Sequence, residues 1–158
     1  MNKYLIFLFL FFIFSQQNIF AKEINGKARI VDGDTVEINN NMIRLLGIDA
    51  FEIKQECFKK DNTKYKCGEQ SALILTAMTS GKPLSCTAEK KDRYKRWLAT
   101  CYIEKRDINQ NMVLSGYAFS YKSNKYKTTE KKAKKIRAGA WSGEFTYPWE
   151  WRKSKKKL

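Results

Sequence analysis

"GKARIVDGDTVEINNNMIRLLGIDAFE", residues 26–52, predicts three short strands joined by two tight turns. Apolar and polar residues alternate, or nearly so, in residues 26–31 and 35–38, a pattern typical of half-buried strands. The Asp-Gly pair that follows the first of these strands marks a tight connection. The asparagines at 39–41 tolerate a left-handed backbone and turn the chain into a third strand, residues 42–48. The beginning of the chain's folded part is therefore expected to be a sheet.

The next part of the chain predicts a helix followed by two more strands. Residues 69–80 carry an apolar stripe at helical spacing, and Gly81 with Pro83 ends the helix. Residues 84–90 and 97–104 have the composition of strands and flank a charged turn.

The last part of the chain predicts two helices. Asp107 and Gln110 resemble a capping box that opens a short helix ending at Gly116, and a cationic helix is expected at residues 129–138. Five strands with a helix after the third predict a mainly β fold with helices, of the α+β class. Its expected architecture is an OB-fold, a five-stranded β-barrel with about three packed helices.

The N-terminus has the layout of a secretory signal peptide, predicted to span residues 1–21. A basic start precedes an apolar run at residues 4–14, and the small residue Ala21 provides a cleavage point. The alternative is a membrane anchor, but a spanning helix needs about 20 apolar residues. We therefore expect a secreted or periplasmic protein without a stable membrane anchor. Its folded domain is expected at residues 22–152, and residues 153–158 are expected to form a basic disordered tail.

All four cysteines fall in the predicted mature chain. An even number of cysteines in an exported protein favours disulfides, and four cysteines permit three pairings. Cys57 and Cys67 would close a short loop, whereas Cys86 and Cys101 lie in two predicted strands on either side of a turn, so this pairing is favoured. Zinc is the alternative, but the paired spacing of zinc knuckles and histidine ligands are both missing.

The charge and the absence of histidine limit the possible chemistry. The chain has a formal net charge of +15 and no histidine. Residues 122–158 contain thirteen Lys or Arg against three Glu, and such a surface attracts polyanions such as nucleic acid, anionic lipid or acidic polysaccharide. Catalytic triads and Cys-His pairs are excluded. A general base near neutral pH must be a carboxylate, a lysine or a metal-bound water.

Four carboxylates gather around one arginine, although the chain as a whole is strongly basic. Asp32 and Asp34 precede the second strand, Arg44 lies in the third, and Asp49 and Glu52 follow it. If these strands pair through the asparagine turn, Asp34 and Asp49 converge, and converging carboxylates suit Ca²⁺ or Mg²⁺. The alternatives are that the first two aspartates only form a turn and that the arginine is structural.

A second arginine, Arg96, lies in the charged turn before the fifth strand. Two guanidinium groups, a metal and a free carboxylate are what phosphodiester cleavage requires. The cations neutralise the phosphate oxygens, while the carboxylate activates a water.

These segments resemble the thermonuclease (staphylococcal nuclease-like) family, in its exported bacterial branch, over about residues 22–152. The similar segments are "DGDT" at 32–35, "IRLLGIDAFE" at 43–52, "DRYKRWLA" at 92–99, "DINQNMVLSGYAF" at 107–119 and "GAWSGEFTYPWEWRK" at 139–153. The resemblance implies an OB-fold barrel and a calcium-dependent nuclease that cleaves DNA and RNA and leaves 3′-phosphate ends. A monomer without an obligate protein partner is expected. The alternative is a catalytically inactive OB-fold module that binds nucleic acid.

The resemblance also implies roles for individual residues. Asp34, Asp49 and the backbone carbonyl of Ala50 would hold Ca²⁺, and Asp32 would lie just outside the ligands. Arg44 and Arg96 would bind the phosphate, and Glu52 would be the general base.

The chain departs from the family pattern at several positions. Phe51 stands where the family often has proline, which puts the placement of the following glutamate in question. Lys95 replaces a common glycine before the second arginine. Tyr94 and Tyr121 are candidates for the nucleotide pocket.

Overall fold

The computed structural model describes residues 21–156. Apart from Ala21, the predicted signal peptide lies outside the described residues. Reading along the chain, the strands are β1 (Lys22–Gly26), β2 (Arg29–Ile30), β3 (Thr35–Ile38), β4 (Asn41–Leu45), β5 (Ile48–Ala50), β6 (Cys57–Phe58), β7 (Lys64–Tyr65), β8 (Leu84–Lys91), β9 (Trp97–Ile103), β10 (Arg106–Asp107) and β11 (Ala118–Ser120). The helices are α1 (Cys67–Thr79), α2 (Ile108–Leu114), α3 (Lys127–Lys135), a 3₁₀ turn (Gly139–Ser142) and α4 (Pro148–Lys155).

The principal sheet has the strand order β1-β8-β9-β4-β3-β2. Strand β4 pairs with β9 in parallel, and the other neighbours along this order are antiparallel. Because β1 and β2 are separated by only two residues, one stretch of chain pairs with β8 at its start and with β3 at its end. The sheet therefore curls into a five-stranded barrel. This confirms the predicted α+β fold of the OB type. Within residues 21–156 it has four α-helices, whereas about three were expected.

The asparagine turn sets the register on which the site depends. Asn39 and Asn40 have φ angles of 47° and 61°, the left-handed conformation required at both centres of a tight hairpin turn. The turn pairs Thr35 with Arg44 across β3 and β4. In these strands Val36, Ile38, Ile43 and Leu45 are buried in the barrel, as the alternating pattern predicted.

Helices α1 and α2 form close to where the sequence predicted them. Helix α1 begins at Cys67, two residues earlier than expected, and ends at Thr79. Asp107 caps α2, since its carboxylate accepts a hydrogen bond from Gln110 N at 2.9 Å. This confirms Asp107 as the cap. The reciprocal bond of a capping box is not formed among the described residues, where Gln110 Nε2 donates to Thr129 Oγ1 at 3.0 Å instead.

Helix α3 differs from the expected range 129–138, because it spans Lys127–Lys135. Arg137 takes a left-handed φ of 52°, and Ala138 N donates back to Ala133 O at 2.9 Å. This reversal ends the helix before the expected position.

A second apolar cluster, made of aromatic rings, attaches the C-terminal segment to the barrel. Phe119 in β11 is fully buried. Its ring centroid lies 5.1 Å from that of Phe51, 5.0 Å from that of Phe145 and 5.1 Å from that of Tyr147. Rings at these separations attract one another beyond the effect of their burial. The C-terminal segment is therefore packed against the barrel.

The packing of this segment changes the expected end of the domain. Helix α4 starts with Pro148, a favoured first helical residue, and continues to Lys155. Residues 153–155 are thus helical, whereas a disordered tail was expected from 153, and residues 157–158 lie outside the described part. Within residues 21–156, no helix is long and apolar enough to cross a membrane.

The structure contains the two favoured disulfides. Cys57–Cys67 ties β6 to the first residue of α1, and Cys86–Cys101 joins directly opposed residues of β8 and β9. The second bridge lies inside the barrel, where both cysteines are fully buried.

We expect Cys86→Ala/Cys101→Ala to lower the free energy of unfolding by ~2–4 kcal/mol, because the bridge restricts the unfolded chain. Urea denaturation would measure this loss. Intact mass of the unmodified exported protein should show four hydrogens fewer than the reduced chain. An unchanged free energy of unfolding, or four free thiols, would contradict the expectation.

Candidate active site

Two aspartates at neighbouring strand ends share one arginine. Asp34 directly precedes β3, and Asp49 lies in β5. Arg44, in β4, donates from Nη1 to Asp34 Oδ1 and from Nη2 to Asp49 Oδ1, each at 2.5 Å. The register that pairs Thr35 with Arg44 brings this guanidinium to the residue before β3. The structure thus brings together the carboxylates that the sequence predicted to converge.

The side chain of Asp34 is buried and is held by several hydrogen bonds. Its Oδ2 accepts a hydrogen bond from Ala50 N at 2.8 Å, and its Oδ1 also accepts from the Thr35 hydroxyl at 3.1 Å. Asp32 lies just outside, where its carboxylate accepts from Asp34 N at 2.9 Å. Burial raises the pKa of Asp34 to about 7, although Arg44 opposes this shift.

Arg44 carries the compensating charge. Burial disfavours its charged form, but Asp34 and Asp49 outweigh that effect and raise its pKa above the usual value. The guanidinium therefore stays positive between two carboxylates, which would repel each other without a cation.

Arg152, which the sequence did not single out, reaches the same cluster from α4. It donates to both oxygens of Asp49, at 3.1 and 2.7 Å, and to Glu52 Oε1 at 2.6 Å. Burial by itself would lower the pKa of Arg152. The hydrogen bonds to Asp49 and Glu52 outweigh burial, so the pKa of this guanidinium lies above its usual value. The only sequence signal for this residue is its position in the segment at 139–153 that resembles the family.

A tight loop after β5 places Glu52. Its backbone N donates to Gln55 Oε1 at 3.3 Å, and its carbonyl accepts from Gln55 N at 2.7 Å. The buried Gln55 side chain also donates to Thr146 O at 2.6 Å. A Cβ at Gly68 would meet Glu52 O at 1.7 Å, so only glycine allows α1 to begin this close to the loop.

Phe51, which stands where the resemblance leads us to expect proline, is held by packing. Its side chain is almost fully buried, and its ring contacts those of Phe119 and Phe145, with centroids at 5.1 and 5.6 Å. Packing on both sides fixes the residue that precedes Glu52.

Arg96 lies on the turn before β9 and contacts a different carboxylate. Its Nε and Nη2 donate to Asp92 Oδ2 at 2.9 and 2.7 Å. Burial opposes ionisation of Asp92, but hydrogen bonds from Arg96 outweigh it and lower the pKa of this carboxyl group. Lys95 has a φ of 63°, so the turn keeps the conformation that glycine adopts without strain. Among the described contacts, the hydrogen bonds of this guanidinium stay within its own turn, and none reaches Asp34, Asp49 or Glu52.

The two candidate tyrosines differ in setting. Tyr94 is 64% exposed on the same turn, with the guanidinium carbon of Arg96 5.3 Å from its ring centroid. Tyr121 follows β11 and stacks on Trp149, with ring centroids 5.4 Å apart.

The carboxylate oxygens of Asp34 and Asp49 are suitable ligands for a hard cation, although they do not by themselves form a complete metal site. Within residues 21–156, no three acidic or cysteine side chains come together as a metal site. Asp34 and Asp49 nevertheless face one shared cation, the Arg44 guanidinium. Carboxylate and carbonyl oxygens are the ligands that Ca²⁺ prefers, and it accepts water in the remaining positions. The chemistry of the two carboxylates therefore suits a partly hydrated Ca²⁺, although in this structure arginines engage both of them.

Comparison with known proteins identifies similar chains. Residues 42–143 match the model of the family described as staphylococcal nuclease homologue. A succinoglycan biosynthesis protein of Rhizobium meliloti is 33% identical over 78% of this chain and 68% of its own. An uncharacterized endonuclease of Escherichia coli O157:H7 is 32% identical over 98% of this chain and 100% of its own. A probable staphylococcal-like nuclease of rice is 29% identical over 73% of this chain and 22% of its own.

Proposed function

Because the chain belongs to the family of staphylococcal nuclease homologues and is a hydrolytic nuclease, we propose that it is a calcium-dependent endonuclease. It hydrolyses DNA and RNA without selecting the sugar and leaves 3′-phosphate ends. The observation that supports this best is the continuous arrangement of charged groups from Asp34 through Arg44, Asp49 and Arg152 to Glu52. Such an arrangement combines an ion site, donors for a phosphate and a candidate base.

Glu52 is the proposed general base. Its side chain is 35% exposed, and Arg152 contacts its Oε1. In the proposed reaction, Glu52 takes a proton from the water whose oxygen attacks phosphorus, and the bond from phosphorus to O5′ breaks while O5′ takes up a proton from solvent water. The cleaved strand then carries a 3′-phosphate on one side and a 5′-hydroxyl on the other.

The arginines have separate proposed roles. Arg44 donates to the phosphate oxygens on which charge increases in the transition state. Arg96 binds the same phosphate once its hydrogen bonds to Asp92 have been replaced by hydrogen bonds to the phosphate oxygens. Arg152 does not need to touch the substrate, because it holds Glu52 and Asp49 in fixed positions.

Calcium is the proposed cofactor, held by Asp34, Asp49 and the Ala50 carbonyl, where it would supply positive charge to the phosphate. We also propose that the protein is exported and works as a monomer outside the cytoplasm. The two disulfides support that location, since such bonds persist in oxidising compartments.

The test is a cleavage assay of the mature protein on DNA and on RNA. We expect no turnover in EDTA, recovery with Ca²⁺, and poor recovery with Mg²⁺, whose octahedral geometry the site does not favour. Calcium binding measured by calorimetry should be lost in Asp34→Asn, and the remote Glu104→Gln serves as control.

Polynucleotide kinase should label the 5′ ends of the products without prior phosphatase treatment. Full activity in EDTA would refute the calcium assignment, and calcium-restored products with 5′-phosphates would refute the proposed cleavage position.

A further inference from the structure

An open groove of about 490 Å³ lies beside the candidate active site. Its volume is in the range of pockets that hold small ligands, roughly 300–1,000 Å³. One wall is the segment that follows Glu52 together with the β6–β7 hairpin, and the other is α4. The lining residues are Lys54, Glu56, Phe58, Lys64, Trp151 and Lys155.

The walls of the groove are anchored. The backbone groups of Phe58 and Glu144 exchange two hydrogen bonds of 2.9 Å, which attach the hairpin to the C-terminal segment. The Cys57–Cys67 bridge attaches the same hairpin to α1. On the opposite wall, Arg152 fixes α4 to the active-site carboxylates. The groove is therefore largely formed before a ligand binds.

The charge of the groove favours an anion. Three of its six lining residues are exposed lysines, and a single glutamate opposes them. That glutamate, Glu56, pairs with Lys64 at 2.6 Å. The charges of Lys54 and Lys155 therefore remain available for a ligand with repeated negative charges.

Two aromatic side chains make the groove suitable for bases as well as phosphates. Phe58 is 42% exposed, although it is a large apolar residue. Trp151 is half-buried, and the ammonium group of Lys155 lies 5.6 Å from its ring centroid. Aromatic faces next to lysines are the usual means of binding single-stranded nucleic acid, since bases stack on the rings while the cations follow the backbone.

Residues on both walls of the groove are close sequence neighbours of candidate active-site residues. Lys54 is two residues beyond Glu52, and Trp151 precedes Arg152, whose Nη1 lies 2.6 Å from Glu52 Oε1. The groove therefore begins within a few residues of Glu52 on one wall and of Arg152 on the other.

We propose that this groove binds the nucleotides that adjoin the cleaved phosphodiester, in single-stranded form, an inference that rests on the proposed nuclease function. Trp151 stacks on a base, and Lys54 and Lys155 bind phosphates.

The experiment compares two substrates, single-stranded DNA of about 12 nucleotides and a nitrophenyl phosphodiester of one nucleotide. Trp151→Ala is expected to raise KM for the DNA about tenfold and to leave cleavage of the small ester unchanged. Trp151→Phe should restore most of the affinity. Lys54→Gln/Lys155→Gln should raise the same KM and lower the salt slope by about 1.4, since each phosphate contact on a single strand contributes about 0.7. Lys131→Gln/Lys135→Gln on α3 removes equal charge elsewhere, so a smaller rise in KM is expected.

Equal effects of the two lysine pairs, or equal effects of Trp151→Ala on both substrates, would overturn the proposal. Anionic vesicles or polyglutamate that bind with the same dependence on Trp151 would also overturn it, in favour of a site for another polyanion. If the unmodified protein cleaved neither substrate, the proposed nuclease function would be refuted independently of the groove. Fluorescence anisotropy of labelled DNA with the same variants would then still test the groove.

Discussion

Glu52→Gln is expected to lower kcat on DNA by ~10²–10⁴-fold, the usual contribution of a positioned general base. Glutamine keeps the shape of the side chain and can still contact Arg152 through its amide oxygen, but it cannot take a proton from water. KM and the melting temperature should therefore change little. Steady-state kinetics together with thermal denaturation would measure both effects.

Glu104→Gln is the matched control for this substitution, because Glu104 contacts only the exposed Lys82, at 3.4 Å, among the described ion pairs. Wild-type turnover by Glu52→Gln would show that another group activates the water. If Arg44→Ala then also left kcat unchanged, the carboxylate cluster would be better explained as a structural ion site on a binding module.

Arg152→Ala is expected to lower kcat by about 100-fold, although this side chain has no proposed contact with the phosphate. Its loss frees Glu52 Oε1 and removes two hydrogen bonds from Asp49, which is fully buried. Displacement of a catalytic group by about 1 Å can cost this much. The free energy of unfolding should also fall by about 2 kcal/mol. This is less than for a fully buried pair, because the Arg152 side chain is 33% exposed.

Two variants separate positioning from simple stability. Arg152→Lys keeps the charge but cannot donate to both carboxylates in the same fork, so stability should recover more than kcat. Lys153→Ala, on the same helix and exposed to solvent, should change neither quantity. Recovery of full turnover in Arg152→Ala by moderate cooling alone would indicate a purely structural role.

Local chemistry explains why much of the fold could be predicted from the sequence. The left-handed turn at Asn39 and Asn40 and the cap at Asp107 depend on a few neighbouring residues. The alternation in β3 and β4 reflects burial on one face. The hairpin register brings Arg44 to Asp34. The two-residue turn at Leu46 and Gly47 then leads the chain into β5, where Asp49 reaches the same guanidinium.

The ends of the last two helices depend on tertiary packing, which a local sequence pattern does not predict. Helix α3 ends where Arg137 reverses the chain. The C-terminal residues up to Lys155 form a helix, following a segment whose aromatic rings pack around Phe119. Composition alone favoured a disordered basic tail, because lysine-rich segments lack apolar residues of their own. The rings that hold this tail in place lie just upstream.

The sequence by itself thus determined the β3–β4 hairpin, the paired aspartates and their shared arginine, since these follow from short-range turns and strand alternation. Closure of the barrel needs the distant pairs β1–β8 and β4–β9, which the order of the strands and the resemblance to the family predicted. Only the tertiary structure decided that Arg152 joins them, because its contact with Asp49 spans 103 residues of sequence. Arg96 instead bonds locally, to Asp92 four residues earlier in its own turn. Which carboxylate an arginine selects depends on distances of a few ångströms between distant segments. Those distances are set by the packing of the aromatic cluster against the barrel.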